Sequence, residues 1–327
     1  MKKKAIVLAI AGALATPSAF AAQDTSGMQY TSASEGFYAS IRAAYDSGQN
    51  EDATSQIEDA FSRFGVRGTN DLGGGLEGFY QYEAAVSINN GGGLRTRLGQ
   101  VGLRGTFGEA VFGSIWANAY NWVYGVTDIA NYGSGNFAYV GRASNVVQYT
   151  SPDLSGFQGS FMLNMVGGND DNDLDEWTAS AQYAFGGLTA AGSYSNAPDS
   201  LITITNVGGV PGTGVDDANN WAIRLGYGQD NWNVNGWYGA DNSGDISDEA
   251  EDVKTTSLSG VMSVNQTSFY VVWENQDSGV DNSAAIFGVQ YDLGVNSRVW
   301  AEYVARDDDT PGSTVDDYVS IGLRHDF

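Results

Sequence analysis

From Gly36 onward the chain alternates apolar and polar side chains in segments of about ten residues, the period of a strand with two unlike faces. Gly36–Tyr45 (GFYASIRAAY), Gly75–Val86 (GLEGFYQYEAAV), Thr267–Glu274 (TSFYVVWE), Ala284–Asp292 (AAIFGVQYD) and Arg298–Arg306 (RVWAEYVAR) are clear cases. The last segment puts Val319, Ile321, Leu323, His325 and Phe327 on one face. Tyr318, Ser320, Gly322, Arg324 and Asp326 fall on the other. About sixteen such segments can be marked, many ending in Tyr, Phe or Trp, as where a strand crosses a membrane–water boundary.

The connections alternate between two kinds. Short ones are NDLGGG (70–75), FGE (107–109), SPDLSG (151–156), FGG (185–187), GQDN (228–231), VNQ (264–266) and LGVNS (293–297). Long, acidic ones are 46–56, 167–176, 197–220, 241–252, 275–283 and 306–317. Short turns on one rim and long loops on the other predict an all-β fold, a 16-stranded antiparallel transmembrane β-barrel. A soluble all-β protein or a solenoid is the competing architecture, but no fixed repeat of about 20–50 residues is visible. Eight strands would leave over half the chain in loops, whereas sixteen leave an ordinary amount and enclose a water-filled lumen.

The N-terminus reads differently. MKKKAIVLAIAGALATPSAFA has three lysines, an apolar run and a small-x-small site, which predicts a secretory signal peptide over residues 1–21. Residues 22–327 are then a single transmembrane barrel domain. Losing Lys2, Lys3 and Lys4 takes the formal charge from −24 to −27 and leaves Lys254 as the only lysine. That acidity argues against nucleic acid as a partner.

Candidate chemistry is sparse. The chain has one histidine, His325, and no cysteine, so neither a sheltered catalytic imidazole nor a His/Cys zinc site is expected. Arginines inside strands are more informative, because one facing lipid at mid-depth costs about 2–4 kcal/mol and should turn to the lumen. Arg63, Gly65 and Arg67 are expected on one face, as are Arg95, Arg97 and Gly99, making a basic patch; each arginine could instead pair with an acid to hold the barrel. Between Trp116 and Arg142 the alternation breaks over a stretch rich in aromatics with one acid, Asp128. Its composition predicts folding into the lumen, with Asp128 opposite the basic wall. The acids of GGNDDNDLDE (167–176) are read as solvated, with a divalent cation as the other option. No resident cofactor or metal is expected.

SRFGVRGTNDLGGGLEGFYQYE (62–83), RTRLGQVGLRGTFGEAVFGS (95–114), VGRASNVVQYTSPDLSGF (140–157) and the final GLRHDF resemble the general diffusion porins of the Gram-negative outer membrane, a sixteen-stranded trimeric family. The resemblance covers essentially the whole chain after the signal. It implies an inward-folded third external loop (about 117–142) that constricts the pore. By motif match Arg63, Arg97 and Arg142 stand where the family's wall arginines stand, with Arg95 as a fourth candidate and Arg42 on the inward face of the first strand, and Asp128 is the loop's acid. It also implies a homotrimer among outer-membrane lipid and lipopolysaccharide. Phe327 would serve as the signal read by the barrel-assembly machinery. The Pro-Glu-Phe-Gly-Gly stretch of the enterobacterial loop is absent, with NYGSG (131–135) in its place.

The expected function is passive diffusion of small hydrophilic solutes and ions across the bacterial outer membrane, without enzymatic activity. Several arginines facing one acid predict weak selectivity leaning to anions at high salt, since screening weakens the acidic mouth more than close contacts. A substrate-selective channel would need a ladder of inward aromatics, for which the loop's Tyr120, Trp122, Tyr124 and Tyr132 are candidates. A barrel lipase, or a barrel serving adhesion or phage docking, are the readings from other classes.

Overall fold

The computed structural model describes residues 36–50, 53–89, 93–133, 141–165, 176–199, 216–241, 253–278, 280–310 and 312–327. The predicted signal peptide, 1–21, lies outside the described residues. Strands β1 (Gly36–Asp46), β2 (Gln56–Asp59), β3 (Arg63–Gly73), β4 (Leu76–Ala85), β5 (Arg95–Gly105) and β6 (Gly108–Trp116) come first. A short helix α1 (Asn118–Trp122) and a 3-10 turn (Tyr124–Val126) follow. Then come β7 (Arg142–Thr150), β8 (Phe157–Asn164), β9 (Glu176–Phe185), β10 (Leu188–Asp199), β11 (Asp216–Gln229) and β12 (Trp232–Asp241). The last are β13 (Val253–Val264), β14 (Thr267–Asp277), β15 (Asp281–Asp292), β16 (Ser297–Asp308) and β17 (Tyr318–Asp326).

Each strand pairs antiparallel with its neighbours, and β1 pairs with β17, so the sheet closes on itself. Closure removes the unpaired edge that an open sheet would expose. At the seam Ala39 and Phe327 exchange both backbone hydrogen bonds, at 2.8 and 3.0 Å.

The described residues form seventeen strand segments, yet the ring has sixteen staves, because β2 and β3 both pair with β1 and are halves of one stave. The break at 60–62 is a bulge in which Phe61 takes φ 67°. There the Ser62 hydroxyl stands in for a ladder partner: it receives the Arg42 N–H at 2.9 Å and donates to the Arg42 carbonyl at 3.1 Å. Asp59 accepts the Ser62 N–H at 3.0 Å. Backbone groups lost to the break are therefore satisfied by side chains.

The two-residue period separates the faces as expected. On β1, Phe37, Ile41 and Tyr45 are exposed, while Tyr38, Ser40, Arg42 and Asp46 are buried. On β14, Phe269, Val271 and Trp273 are exposed, while Ser268, Tyr270 and Glu274 are buried. Large apolar residues are thus exposed stave after stave around the ring, a continuous band that suits a lipid environment rather than water. Glycines give the inner rings room: a Cβ at Gly288 would run into the Tyr270 ring, and one at Gly322 into the Trp300 ring.

All seven predicted short turns join strands on one rim. Two long connections are corrected: the expected loop 197–220 is paired strand at both ends, since β10 runs to Asp199 and β11 starts at Asp216, and 275–283 is shorter still. Strands β14 and β15 run on through Asp277 and Asp281, with Asn275 opposite Ser283 and Gln276 opposite Asn282, so only 278–280 joins them. Polar residues that read as loop are the solvated ends of two strands.

Candidate channel constriction

The inner wall from β1 to β7 is basic but not purely so. Arg42, Arg63, Arg97 and Arg142 stand on β1, β3, β5 and β7, and the Glu83 side chain of β4, with none of its surface exposed, sits among them. The Arg97 Nε donates to Glu83 at 2.6 Å, the Arg63 guanidinium lies 4.0 Å away, and Tyr38 donates its hydroxyl at 3.1 Å. Burying a carboxylate is costly unless charged and hydrogen-bonding partners surround it. Arg142 and Arg97 both stand over the Trp116 ring, at 5.1 and 6.0 Å from its centre.

The register places Arg97 differently from strict alternation. Glu83 faces Leu98 and Ala84 faces Thr96, so Arg97 is the extra residue of a bulge. Beyond the bulge the phase shifts: Val101 and Leu103 face outward, and Gly99 lies beside the outward ring of Tyr82 rather than on the face of Arg97. Arg95, opposite Ala85 at the other end of the strand, is exposed.

The connection from β6 to β7 leaves through a neck where the Ala117 N–H meets the Gly141 carbonyl at 3.0 Å. Residues 117–133 then contact inward side chains of one stave after another. Asn118 donates to Thr150 on β7 and Ser160 on β8, at 2.8 and 2.6 Å. Arg224 of β11 donates to the Trp122 carbonyl at the end of α1, at 3.2 Å, as a cation should at a helix C-terminus. The Trp237 indole of β12 and the Ser257 hydroxyl of β13 donate to Thr127, at 2.9 and 2.7 Å. Ile129 packs among Val261, Tyr270, Val272, Ile286 and Val304.

The segment is fastened at Glu302 of β16. This buried carboxylate accepts the backbone N–H groups of Asn131, Tyr132 and Gly133 at 2.6, 3.1 and 2.7 Å. It also accepts the hydroxyls of Tyr270 and Ser320, at 2.5 and 3.1 Å. Tyr132 then reaches β1, donating its hydroxyl to Asp46 at 2.8 Å. Burial, and after it the Asp46 hydrogen bond and charge, hold the Tyr132 phenol above its ordinary range.

Asp128 accepts the Tyr120 hydroxyl at 2.6 Å, and Tyr120 stacks on Trp116 at 4.6 Å. The loop acid and two wall arginines are thereby joined through two stacked rings. Tyr120, Trp122 and Tyr124 are 1, 0 and 2% exposed. They are packed against the wall instead of presenting faces to open space. Residues 134–140 of the expected loop, and all but Glu176 of the 167–176 acids, lie outside the described residues. Among the described residues no group of three or more His, Cys, Asp or Glu side chains is placed to hold a metal ion.

Sequence reasoning missed Glu83, Glu302, Asp46, Arg224 and Trp116 as members of this site. Glu83 and Glu302 did carry a signal, each being an acid near the middle of a strand on its inward phase. Their partners follow only from knowing which staves and which loop face each other.

The family model for Gram-negative porins matches residues 7–326. A Halomonas protein named monosaccharide porin is 28% identical over 71% of this chain and 68% of its own length. The Salmonella typhi OmpF structure in complex with daunomycin superposes with TM-score 0.71 at 17% identity, covering 89% of this chain and 97% of that one. OmpT of Vibrio cholerae in its trimer form gives TM-score 0.67 at 18% identity, covering 89 and 98%. With the closed ring, the lipid-suited outer band and a family match over nearly its whole length, the chain belongs to the Gram-negative porins and is a diffusion channel of the outer membrane.

Proposed function

We propose that residues 117–133 and the Arg42–Arg63–Arg97–Arg142 wall bound the narrowest part of the channel, which passes small hydrophilic solutes and ions passively with a weak preference for anions. The observation that carries this is the path of the segment: it is fastened stave by stave from β7 to β16 and on to β1, while four arginines stand on the wall from β1 to β7. Arg42, Arg63, Arg97, Arg142 and Arg224 against Glu83, Asp128, Glu302 and Asp46 leave five guanidinium groups to four carboxylates, a small excess of positive charge on the route, and close contacts survive screening that mutes the acidic mouth.

The general-diffusion reading is favoured over a substrate-selective one because the rings of Tyr120, Trp122 and Tyr124 are packed away. Neutral sugars fit such a route, in keeping with the name of the Halomonas relative. A homotrimer is the assembly this reading carries, supported by the trimeric OmpT likeness. The lipase alternative is disfavoured. His325 does contact the Ser297 hydroxyl at 2.7 Å, but on the exposed rim, and a hydrolytic set also needs a group that orients the imidazole.

Planar-bilayer recording under a potassium chloride gradient tests the proposal. Open channels should give a small reversal potential of anionic sign, moved toward cations by Arg97→Gln combined with Arg142→Gln. A strong cation preference in the parent, or no shift in the double variant, would refute it.

A further inference from the structure

The described ends of two external connections meet beside β1. Asn50 and Val315 form an isolated antiparallel bridge, and the Asp316 N–H donates to the Gln49 carbonyl at 3.2 Å. The Val319 N–H donates to the Ser47 hydroxyl at 2.8 Å. This strap does not end at the surface. Gln49 Nε2 donates to Asp46 at 2.5 Å, to the same carboxylate oxygen that Tyr132 reaches. Gln49 Nε2 is also 3.3 Å from the Tyr132 hydroxyl. Arg306 braces the group from the other side: its guanidinium donates to Gln49 Oε1 at 3.2 Å and stands 4.7 Å over the Tyr318 ring. Tyr318 in turn meets Tyr132 edge-on, with ring centres 6.4 Å apart.

We propose that Asp46, Gln49 and Arg306 are positioning residues, a latch through which the Gln49–Asn50 and Val315–Asp316 strap fixes Tyr132 and with it the cross-section of the channel. Tyr132 is held twice, by its backbone at Glu302 inside the ring and by its hydroxyl at the latch. Only the second hold depends on residues at the outer rim. Parting the strap therefore loosens one side of the segment while the Glu302 anchor remains, and makes the current sensitive to events on the outer surface. The inference rests on the reading that residues 117–133 narrow the channel.

The test uses the full chain in planar bilayers. The protein has no cysteine, so Asn50→Cys with Val315→Cys can be oxidised and reduced without side reactions. Facing residues of an antiparallel pair are about 4.5–5.5 Å apart, within disulfide reach. Oxidation should quiet the single-channel current relative to the reduced state. Tyr132→Phe should raise the frequency of brief current steps about tenfold, as expected for losing one hydrogen bond to a carboxylate, and should abolish the effect of oxidation. Arg306→Gln should raise it less and add nothing in the Tyr132→Phe background.

A Tyr132→Phe channel as quiet as the parent, or one still quieted by oxidation, overturns the latch alone if Arg97 and Arg142 substitutions continue to shift selectivity. If Glu302→Ala also leaves the current unchanged, the constriction reading falls with it. Should Tyr132→Phe fail to fold, the oxidised and reduced double-cysteine channels decide: identical currents overturn the latch.

Discussion

The backbone N–H of Gly133 lies 2.7 Å from a carboxylate oxygen of Glu302, a residue 169 positions further along the chain. With the amides of Asn131 and Tyr132 it makes a three-donor nest around one side chain. Glu302→Gln keeps the shape but turns a donor toward those donors. It should cost about 1–3 kcal/mol per amide left unsatisfied, unless the segment detaches. Detachment is the expected outcome, read as new protease cleavage within residues 117–133 and a noisier current in a barrel of unchanged gel mobility. Parental protection in the variant would show that the nest does not hold the segment.

Glu83 is the negative member of the arginine wall. Replacing it by Gln keeps the hydrogen-bonding shape, removes one negative charge and leaves Arg63 and Arg97 less compensated. Breaking a buried pair costs about 3 kcal/mol or more, so thermal resistance should drop. The reversal potential should move further toward anions in the same protein. An unmoved potential would mean that the wall does not lie on the ion route.

Gly288 is the floor beneath Tyr270. Alanine there pushes the ring that donates to Glu302, so Gly288→Ala should destabilise by about 1–3 kcal/mol. Gly260→Ala is the matched control, because its Cβ would meet nothing nearer than Val271 at 3.7 Å. The temperature at which the folded band disappears on gels should fall for the first and stay for the second.

Asp317 accepts the Tyr303 hydroxyl and, at 2.9 Å, the Arg306 N–H, and these hydrogen bonds hold its carboxyl below the ordinary aspartate range. A lowered folded value means the contribution is present above the unfolded aspartate value and is lost as pH falls through the lowered one. Hydrogen exchange at Arg306 should therefore accelerate only under strongly acid conditions. Asp317→Asn should abolish that acid dependence; a variant with the same pH profile as the parent would assign the change elsewhere.

Much of the ring was legible because the membrane imposes one rule on every stave. Val319, Ile321 and Leu323 face out and Ser320 and Arg324 face in, as their spacing said. Turns such as FGG at 185–187 were legible because glycines there take φ of 57° and 86°. The break at 60–62 was not, since its left-handed residue is Phe61 and its ladder is repaired by a serine side chain. The phase shift at Arg97 was not either, because a bulge is a property of two strands in register and not of one strand's side-chain pattern. Of the site, the arginines were visible as charges that lipid rejects, whereas Glu302 and Asp46 gain their meaning from residues 131–133, remote in sequence, that hydrogen-bond to them.

The distance in sequence between Gly133 and Glu302 also bears on how the pore matures. Contacts this remote form late, since a long stretch of chain must first be ordered between them. In whichever direction the staves are laid down, the segment and its carboxylate meet only once both halves of the ring exist. If residues 117–133 narrow the channel as proposed, a barrel caught earlier would be wider than the mature pore, and its conductance would fall as the segment docks.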